Sequence, residues 1–425
     1  MFLAITNKIK TFELKKSGST VFMLSAMLVN AGNYFYNLWL GRYVGPEVFA
    51  ETGLMVTCLL VLSFLGMTFQ IVTAKYIVEI PDVYKKRFSY IATLISLGIG
   101  LLLALILMFS SKGLTVFLNL SDANLVNIFA IGIPFYFYMS VQRGVLQGKQ
   151  SFFKLSGSYQ AEMISRFIFT FLLLLGLEVS PSISVAASLT LSIISGSAVM
   201  GYMNSGKMIS FRIPKKHWQP ILTFFAFTAA YEVVQMLINY FDIVLVKHFF
   251  DNTLAGYYTS LSLIGRMIYF VTWMFVMLLL PEVINKRKNG EPYQQLLNKY
   301  LLYIGLFITV AVLGSYLFGD MIVHAVFGPA YAFISAYLWK YALATGLFAL
   351  ANVYVYYYLS LDNYKPVAFT GLMAVIQITA LCLFHDSFAQ IINIQIICMA
   401  IGLGLQVIYS NKQKQLNDRK SISTP

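Results

Sequence analysis

The sequence predicts an all-α polytopic membrane protein with about 12 transmembrane helices, arranged as two six-helix lobes. Its composition is far from that of a soluble protein, because 59% of the residues are hydrophobic and 11% are charged, against roughly 45–50% and 25% on average. Apolar stretches recur between short loops along almost the whole chain. Each stretch has at least roughly 18–20 residues, which is enough for a helix to cross about 30 Å of hydrocarbon.

The predicted spans follow one another with no loop long enough to hold a soluble domain. They cover residues 18–41, 48–73, 88–110, 124–146, 157–177, 183–203, 220–246, 254–280, 300–318, 333–359, 365–385 and 390–410. Pro134 lies inside the fourth span, where a proline removes a backbone donor and kinks the helix. Pro281 follows the eighth span.

The Lys and Arg residues are distributed unequally between the two sides of this arrangement. When successive loops are assigned alternately to the two sides, 24 of the 30 fall on the side of the termini. The opposite side has only Arg42, Lys112 and Lys247, and the spans contain Arg166, Arg266 and Lys340. Lys and Arg resist translocation, so short basic loops stay in the cytoplasm. The pattern predicts that both termini are cytoplasmic.

The middle of the chain predicts where the lobes divide. The longest loop follows the sixth span and is basic, with Arg212, Lys215 and Lys216. We therefore predict an N-terminal six-helix lobe at 1–203, a cytoplasmic linker at 204–219, a C-terminal six-helix lobe at 220–410 and a basic cytoplasmic tail at 411–425.

A weak internal repeat is consistent with two equivalent halves. The segment Asn33-Tyr34-Phe35 recurs 206 residues later as Asn239-Tyr240-Phe241, near the end of the first span in each half. Six spans per half predict that both halves have the same orientation in the membrane.

The charge and the cysteines exclude several classes of function. A net charge of +13 is scattered over many loops, which is typical of a membrane protein that attracts anionic membrane lipids and unlike a nucleic-acid groove. Cys58, Cys382 and Cys398 lie in predicted spans without the spacing of a metal site or a disulfide framework. No Walker loop is present, and the four His residues form no cluster. We expect no metal, no cofactor, no nucleic-acid partner and no enzymatic activity.

Three local motifs resemble one transporter family. Asn239–Lys247 is followed by Leu254-Ala255-Gly256-Tyr257-Tyr258, and the first half has the related segment Leu40–Glu47. Phe327-Gly328-Pro329-Ala330-Tyr331 enters the tenth span. Together with the span count and the two halves, these segments resemble the Wzx-type O-antigen and capsule repeat-unit flippases. These belong to the polysaccharide transporter branch of the multidrug/oligosaccharidyl-lipid/polysaccharide (MOP) exporter superfamily, whose fold is MATE-like.

The resemblance implies a function, a location and partners. Such proteins move undecaprenyl-diphosphate-linked oligosaccharides from the cytoplasmic to the periplasmic leaflet of the bacterial inner membrane, by alternating access between two lobes. A polysaccharide polymerase and a chain-length regulator are implied as partners of the same route. The alternatives are a multidrug exporter or another lipid flippase of this superfamily, or a polysaccharide polymerase.

Ionisable residues within spans are candidate site residues, because a charge in the membrane is costly unless it is paired or hydrated. Arg266 and Lys340 are predicted to contact the anionic cargo, and Arg suits a diphosphate because of its planar fork. The alternative for both residues is a static buried ion pair, for example Arg266 with Glu232. Arg143, at the end of the fourth span, either extends to the headgroups or contacts the diphosphate.

Carboxylates and amides complete the candidate set. Glu232 and Asp242 are predicted to carry a coupling proton, although Asp242 also has the alternative of bracing a loop. Glu162 and Arg166 are four residues apart and are predicted to form a structural ion pair. Asn30, Asn33 and Asn37 share one helical face, and we predict that they line the cargo cavity. Tyr354, Tyr356, Tyr357 and Tyr358 are expected in an interfacial aromatic belt, with sugar stacking as the alternative.

Overall fold

The computed structural model describes residues 2–176, 179–203, 214–289, 291–361 and 363–423, and these residues contain helices and no strand. The first helices are α1 (Phe2–Glu79), α2 (Asp82–Phe109), α3 (Ser111–Phe117), α4 (Asn124–Gly148), α5 (Phe152–Gly176) and α6 (Pro181–Met203). The remaining helices are α7 (Lys215–Phe249), α8 (Asn252–Lys288), α9 (Gln294–Leu317), α10 (Gly319–Val326), a 3-10 helix (Pro329–Ile334), α11 (Ser335–Leu359), α12 (Lys365–Leu383) and α13 (Phe388–Ser423). The predicted all-α fold class is confirmed.

The first two predicted spans lie in α1, which is broken at Gly45. This residue has φ 77° and ψ 170°, a combination that is essentially restricted to glycine. Pro46 follows directly and cannot donate a backbone hydrogen bond to the preceding turn. A Gly-Pro pair therefore separates two helices that the hydropathy pattern also places in separate spans.

Ten helical segments in the described part of the chain are long and apolar enough to cross a membrane. They include Leu24–Glu79, which contains the first two predicted spans, and Trp218–Phe249, which contains the seventh. The side chains of α8 are described only in part, and this helix, where the eighth predicted span lies, is not among the ten. The protein is thus a multi-pass membrane protein, while the orientation of its termini stays a prediction.

The chain forms two compact units. Unit 1 contains Met1–Val44 and Glu51–Met236, and unit 2 contains Gly45–Ala50 and Leu237–Pro425. The division falls inside α7, whereas the predicted linker 204–219 lies mostly outside the described residues. In unit 1, α4 packs against α2 and α6, and α5 packs against α6. In unit 2, α11 is central and packs against α8, α9 and α13.

Unit 2 has a large aromatic core. Tyr354, Tyr357 and Tyr358 are buried there against α9 and α8, and the Tyr358 hydroxyl donates to Ser410 Oγ at 3.0 Å. These tyrosines are core residues, so the expected interfacial belt is not what they form. The reason is that α11 packs against α8, α9 and α13.

Within unit 2, Gly256 allows a very close approach of the segment that follows the break in α1. A Cβ atom at Gly256 would lie 1.8 Å from the carbonyl oxygen of Pro46. Phe49, from the same segment, is buried with its ring centroid 6.0 Å from that of Phe327. The motifs Gly-Pro, Ala-Gly-Tyr-Tyr and Phe-Gly-Pro therefore meet in one place.

Candidate functional site

Unit 1 contains a buried group of charges that we call the triad, formed by Arg143, Glu162 and Arg166. Arg143 comes from α4, and the other two residues are one helical turn apart on α5. Arg143 Nη2 lies 2.8 Å from Glu162 Oε2, and Arg166 Nη2 lies 2.8 Å from Glu162 Oε1. The three residues are 2%, 7% and 5% exposed. Each carboxylate oxygen of Glu162 thus accepts from a different arginine.

Polar groups around the triad fix the two guanidinium groups. Arg143 Nε donates to Ser158 Oγ at 2.8 Å, and its Nη2 donates to the Ser158 carbonyl at 3.1 Å. Its guanidinium carbon lies 3.9 Å from the centroid of the Tyr159 ring, a cation–π contact. Arg166 Nη1 donates to Asn33 Oδ1 on α1 at 2.9 Å.

A hydrogen-bonded chain continues from the triad toward the end of α4. The Tyr159 hydroxyl donates to Gln70 Oε1 at 3.0 Å, and Gln70 Nε2 donates to Gln147 Oε1 at 2.8 Å. Polar side chains on α1, α4 and α5 therefore form one connected network. Such networks specify the packing of the helices that contribute to them.

The triad has more positive charge than negative charge. Two guanidinium groups, which stay protonated, face one carboxylate, so the triad has a net charge of about +1. In addition, Arg166 Nε is buried and has no hydrogen-bond partner within the described part of the chain. A buried charge that is only partly compensated is costly.

Unit 2 contains a different arrangement, the aspartate cluster, formed by Asp242, Tyr258, Arg266, Tyr341 and Gln395. Asp242 Oδ1 accepts from Arg266 Nη2 at 3.0 Å. Asp242 Oδ2 accepts from the hydroxyl groups of Tyr258 at 2.9 Å and Tyr341 at 3.0 Å, and from Gln395 Nε2 at 2.8 Å. The residues come from α7, α8, α11 and α13. One carboxylate thus compensates one guanidinium and accepts from three neutral donors.

Close packing fixes the members of the aspartate cluster. The guanidinium carbon of Arg266 lies 4.5 Å from the centroid of the Tyr240 ring. The ring of Tyr341 packs directly against Gly265, because a Cβ atom at this position would lie 2.3 Å from Tyr341 Cδ1. A small cavity borders the cluster, and its lining includes Asn239 and Thr345.

The structure changes the expected surroundings of several predicted residues. Arg266 pairs with Asp242 and not with Glu232. Glu232 is 7% exposed and makes no hydrogen bond or ion pair within the residues that the structure describes. Arg143 does not extend to the headgroups in this structure, because Glu162 and Ser158 hold it inside unit 1. Lys247, which the charge pattern assigns to a loop on the side opposite the termini, is buried and bonded to Asn252.

The three asparagines of the first span have different environments. Asn33 accepts from Arg166, and Asn37 Nδ2 donates to the Asn33 carbonyl at 2.9 Å. Asn30 is exposed. Lys340 is half-buried, with its ammonium 5.7 Å and 6.0 Å from the ring centroids of Trp339 and Tyr337, and it has no acidic partner among the described residues.

Sequence reasoning missed four residues that hold these charges in place: Ser158, Tyr258, Tyr341 and Gln395. None of them differs visibly from other polar residues in apolar spans. Tyr258 at least lies in the Ala-Gly-Tyr-Tyr motif, which marked its neighbourhood in the sequence. Tyr341 on α11 and Gln395 on α13, however, are separated from Asp242 by 99 and 153 residues. Only the fold brings them together.

Three solved structures share this fold. The lipid II flippase MurJ in an inward closed conformation superposes with a TM-score of 0.75 and 17% identity, covering 93% of this chain and 87% of that chain. An inward-facing multidrug resistance MATE family transporter of the MOP superfamily has a TM-score of 0.72 and 13% identity, with coverages of 91% and 96%. A MOP superfamily transporter from Pyrococcus furiosus, with a binding pocket of reverse polarity, has a TM-score of 0.55 and 13% identity, with coverages of 93% and 93%.

These similarities define the fold class: the chain has the fold of a MATE family transporter of the MOP superfamily and of a lipid II flippase. A family of polysaccharide biosynthesis proteins matches residues 40–336. Because this match includes more than half of the chain, the protein belongs to that family. None of the curated protein sequences matches it.

Proposed function

We propose that this protein moves undecaprenyl-diphosphate-linked oligosaccharide repeat units from the cytoplasmic to the periplasmic leaflet of a bacterial inner membrane, for O-antigen or capsule synthesis. The observation that supports this best is the excess positive charge of the buried triad. A diphosphate is an anion, and two arginines with a single shared carboxylate are suited to it. A cationic drug would be repelled by the same charges.

In this proposal the predicted residues have the following roles. Arg143, with Arg166, binds the diphosphate in a conformation that exposes both guanidinium groups, and Asn33 orients Arg166. Asn30, Asn37, Arg266 and Lys340 contribute further polar contacts, and Lys340 has no acidic partner among the residues that the structure describes. The polyprenyl tail stays in the lipid, and the two lobes open alternately to the two sides of the membrane.

Glu232 is the better of the two predicted proton carriers. Its side chain is buried, and no residue in the described part of the chain pairs with it. Asp242, by contrast, accepts four hydrogen bonds, one of them from an arginine. We propose that Glu232 exchanges a proton during the cycle and that Asp242 mainly holds α7, α8, α11 and α13 together. A polysaccharide polymerase and a chain-length regulator would act on the product.

Deletion of the gene tests the proposed cargo. We expect undecaprenyl diphosphate carrying single repeat units to accumulate in lipid extracts and surface polysaccharide to disappear. Unchanged glycolipids together with new sensitivity to cationic drugs would instead establish the multidrug exporter.

Complementation of that deletion tests the triad. Arg143→Gln leaves Glu162 paired with Arg166, so the protein should still fold while transport falls by at least about tenfold, the effect of roughly 1.4 kcal/mol. Wild-type transport by well-folded Arg143→Gln would remove the triad from the cargo site.

A second variant tests the proposed proton carrier. Glu232→Gln should abolish the response of transport to an imposed pH gradient, and a retained response would exclude Glu232 as the proton carrier.

A further inference from the structure

Three aromatic rings of unit 2 form a partly exposed surface that we call the platform: Tyr257 at the start of α8, Phe333 in the 3-10 helix and Tyr337 at the start of α11. The rings of Tyr257 and Phe333 stack with centroids 5.2 Å apart and an interplanar angle of 28°. The Tyr337 ring lies 5.5 Å from that of Phe333. Phe333 is 43% exposed, and the two tyrosines are half-buried.

Buried rings support the platform from below. Phe388 is 5% exposed, and its ring centroid lies 5.4 Å from that of Phe333 and 5.0 Å from that of Tyr337. Tyr331 is fully buried and lies 5.9 Å from Tyr257 in an edge-to-face contact. The platform rings are therefore held in position before any ligand arrives, which lowers the entropy cost of binding.

Polar groups lie close to the apolar ring faces of the platform. The hydroxyl groups of Tyr257 and Tyr337 make no hydrogen bond within the described part of the chain, and neither does the nearby ammonium of Lys340. An apolar face edged by free donors is complementary to a pyranose ring, which has one or more faces of C–H groups and a periphery of hydroxyl groups. Phe333 supplies only apolar surface, so it suits the C–H face and not a charged headgroup.

The platform lies next to the aspartate cluster. Phe388 contacts Tyr258 with ring centroids 5.8 Å apart, and Tyr258 donates to Asp242. Tyr337 and Tyr341 are one helical turn apart on α11, so the platform and the cluster are successive layers on one face of this helix. A sugar on the platform would therefore rest on a rigid, hydrogen-bonded base.

We propose that Tyr257, Phe333 and Tyr337 form a carbohydrate-binding platform that stacks on a sugar ring of the lipid-linked oligosaccharide, with Lys340 contacting its hydroxyl or acidic groups. This assignment rests on the proposed function, because it needs a cargo that carries a glycan. It places recognition of the sugar in unit 2 and recognition of the diphosphate in unit 1.

The test compares two probes on the purified full chain in lipid nanodiscs. One probe is the lipid-linked repeat unit extracted from the deletion strain, and the other is undecaprenyl diphosphate without sugars. In the variant with both Phe333→Leu and Tyr337→Leu, which keeps apolar volume but loses two rings, we expect the Kd of the glycan-bearing probe to rise about tenfold or more. The Kd of undecaprenyl diphosphate should stay within about twofold of the wild-type value.

A matched control is Tyr316→Leu, which removes a 63% exposed ring that contacts Trp339 outside the platform and should leave both Kd values unchanged. Tyr337→Phe keeps the ring and should weaken the glycan-bearing probe less than the double variant does. An equal loss for both probes, or no loss for either, would overturn the platform and favour an interfacial aromatic role. Wild-type protein that binds neither probe would overturn the proposed function itself.

Discussion

The two units of this protein both contain buried arginines, but they compensate them differently. In unit 1, two arginines share Glu162, and Arg166 Nε has no partner in the described part of the chain. In unit 2, Arg266 pairs with Asp242, which no second arginine shares in the described part of the chain. Three neutral donors also bond to this carboxylate. The first arrangement has two guanidinium groups for one carboxylate, whereas in the second arrangement one carboxylate balances one guanidinium group. The difference teaches that buried arginines in two units of one chain can differ in how far their charge is compensated.

The largest expected effect comes from removing the carboxylate that compensates the arginines in each unit, Glu162 in unit 1 and Asp242 in unit 2. Glu162→Gln leaves two guanidinium groups uncompensated, whereas Asp242→Asn leaves one. Loss of one partner of a buried ion pair costs about 3–5 kcal/mol, so both variants should be destabilised and Glu162→Gln should be the worse. Thermal unfolding of both proteins in the same detergent measures the order. A more stable Glu162→Gln protein would mean that the triad is hydrated or already compensated.

A second variant tests how rigidly the aspartate cluster is built. Gly265→Ala introduces a Cβ that would lie 2.3 Å from Tyr341 Cδ1, so the ring must move and its hydrogen bond to Asp242 must lengthen. We expect a loss of about 1–3 kcal/mol, as for other overpacked cores. The control is Gly305→Ala on α9, where a Cβ would meet no atom within 4 Å. Helix propensity predicts that this control is stabilised by roughly 0.5–1 kcal/mol. Equal melting temperatures of the two variants would contradict the rigid packing.

The smallest expected effect concerns a single neutral hydrogen bond behind the triad. The Tyr36 hydroxyl lies 3.0 Å from Thr170 Oγ1, which itself donates to the Arg166 carbonyl. Tyr36 therefore donates, and Tyr36→Phe removes the bond while keeping the ring. We expect a loss of about 1 kcal/mol and little change in transport. A loss of transport without a loss of stability would show that Tyr36 positions Arg166 for the cargo.

Much of the fold was predictable because the membrane constrains it. A span must be apolar over roughly 20 residues and must satisfy its own backbone hydrogen bonds, so hydropathy alone indicates the helices. The break at Gly45-Pro46 falls in the gap between the predicted spans 18–41 and 48–73, so the separation of these two helices was predicted. The ends of the helices were less predictable: α13 extends to Ser423, beyond the predicted end at 410. A polar helix can continue into water past the apolar segment that hydropathy detects.

The candidate site was predictable only as a set of residues. Glu162 and Arg166 are neighbours on one helix, and their spacing of four residues indicated the ion pair that the structure contains. Arg143 contacts Glu162 from another helix, and Arg266 pairs with Asp242 and not with Glu232. In each case the sequence showed that a buried charge needs a partner, but several residues at suitable depth satisfied that requirement.

The sequence by itself determined that the chain is a multi-pass helical membrane protein and which ionisable residues lie within its spans, because apolar length and charge are local properties. Only the tertiary structure decided which charges compensate one another, that unit 1 retains an excess of positive charge, and that Tyr257, Phe333 and Tyr337 form one surface. These properties depend on contacts between helices that are far apart in the chain, and such contacts are selected by packing, to which hydropathy and spacing are insensitive.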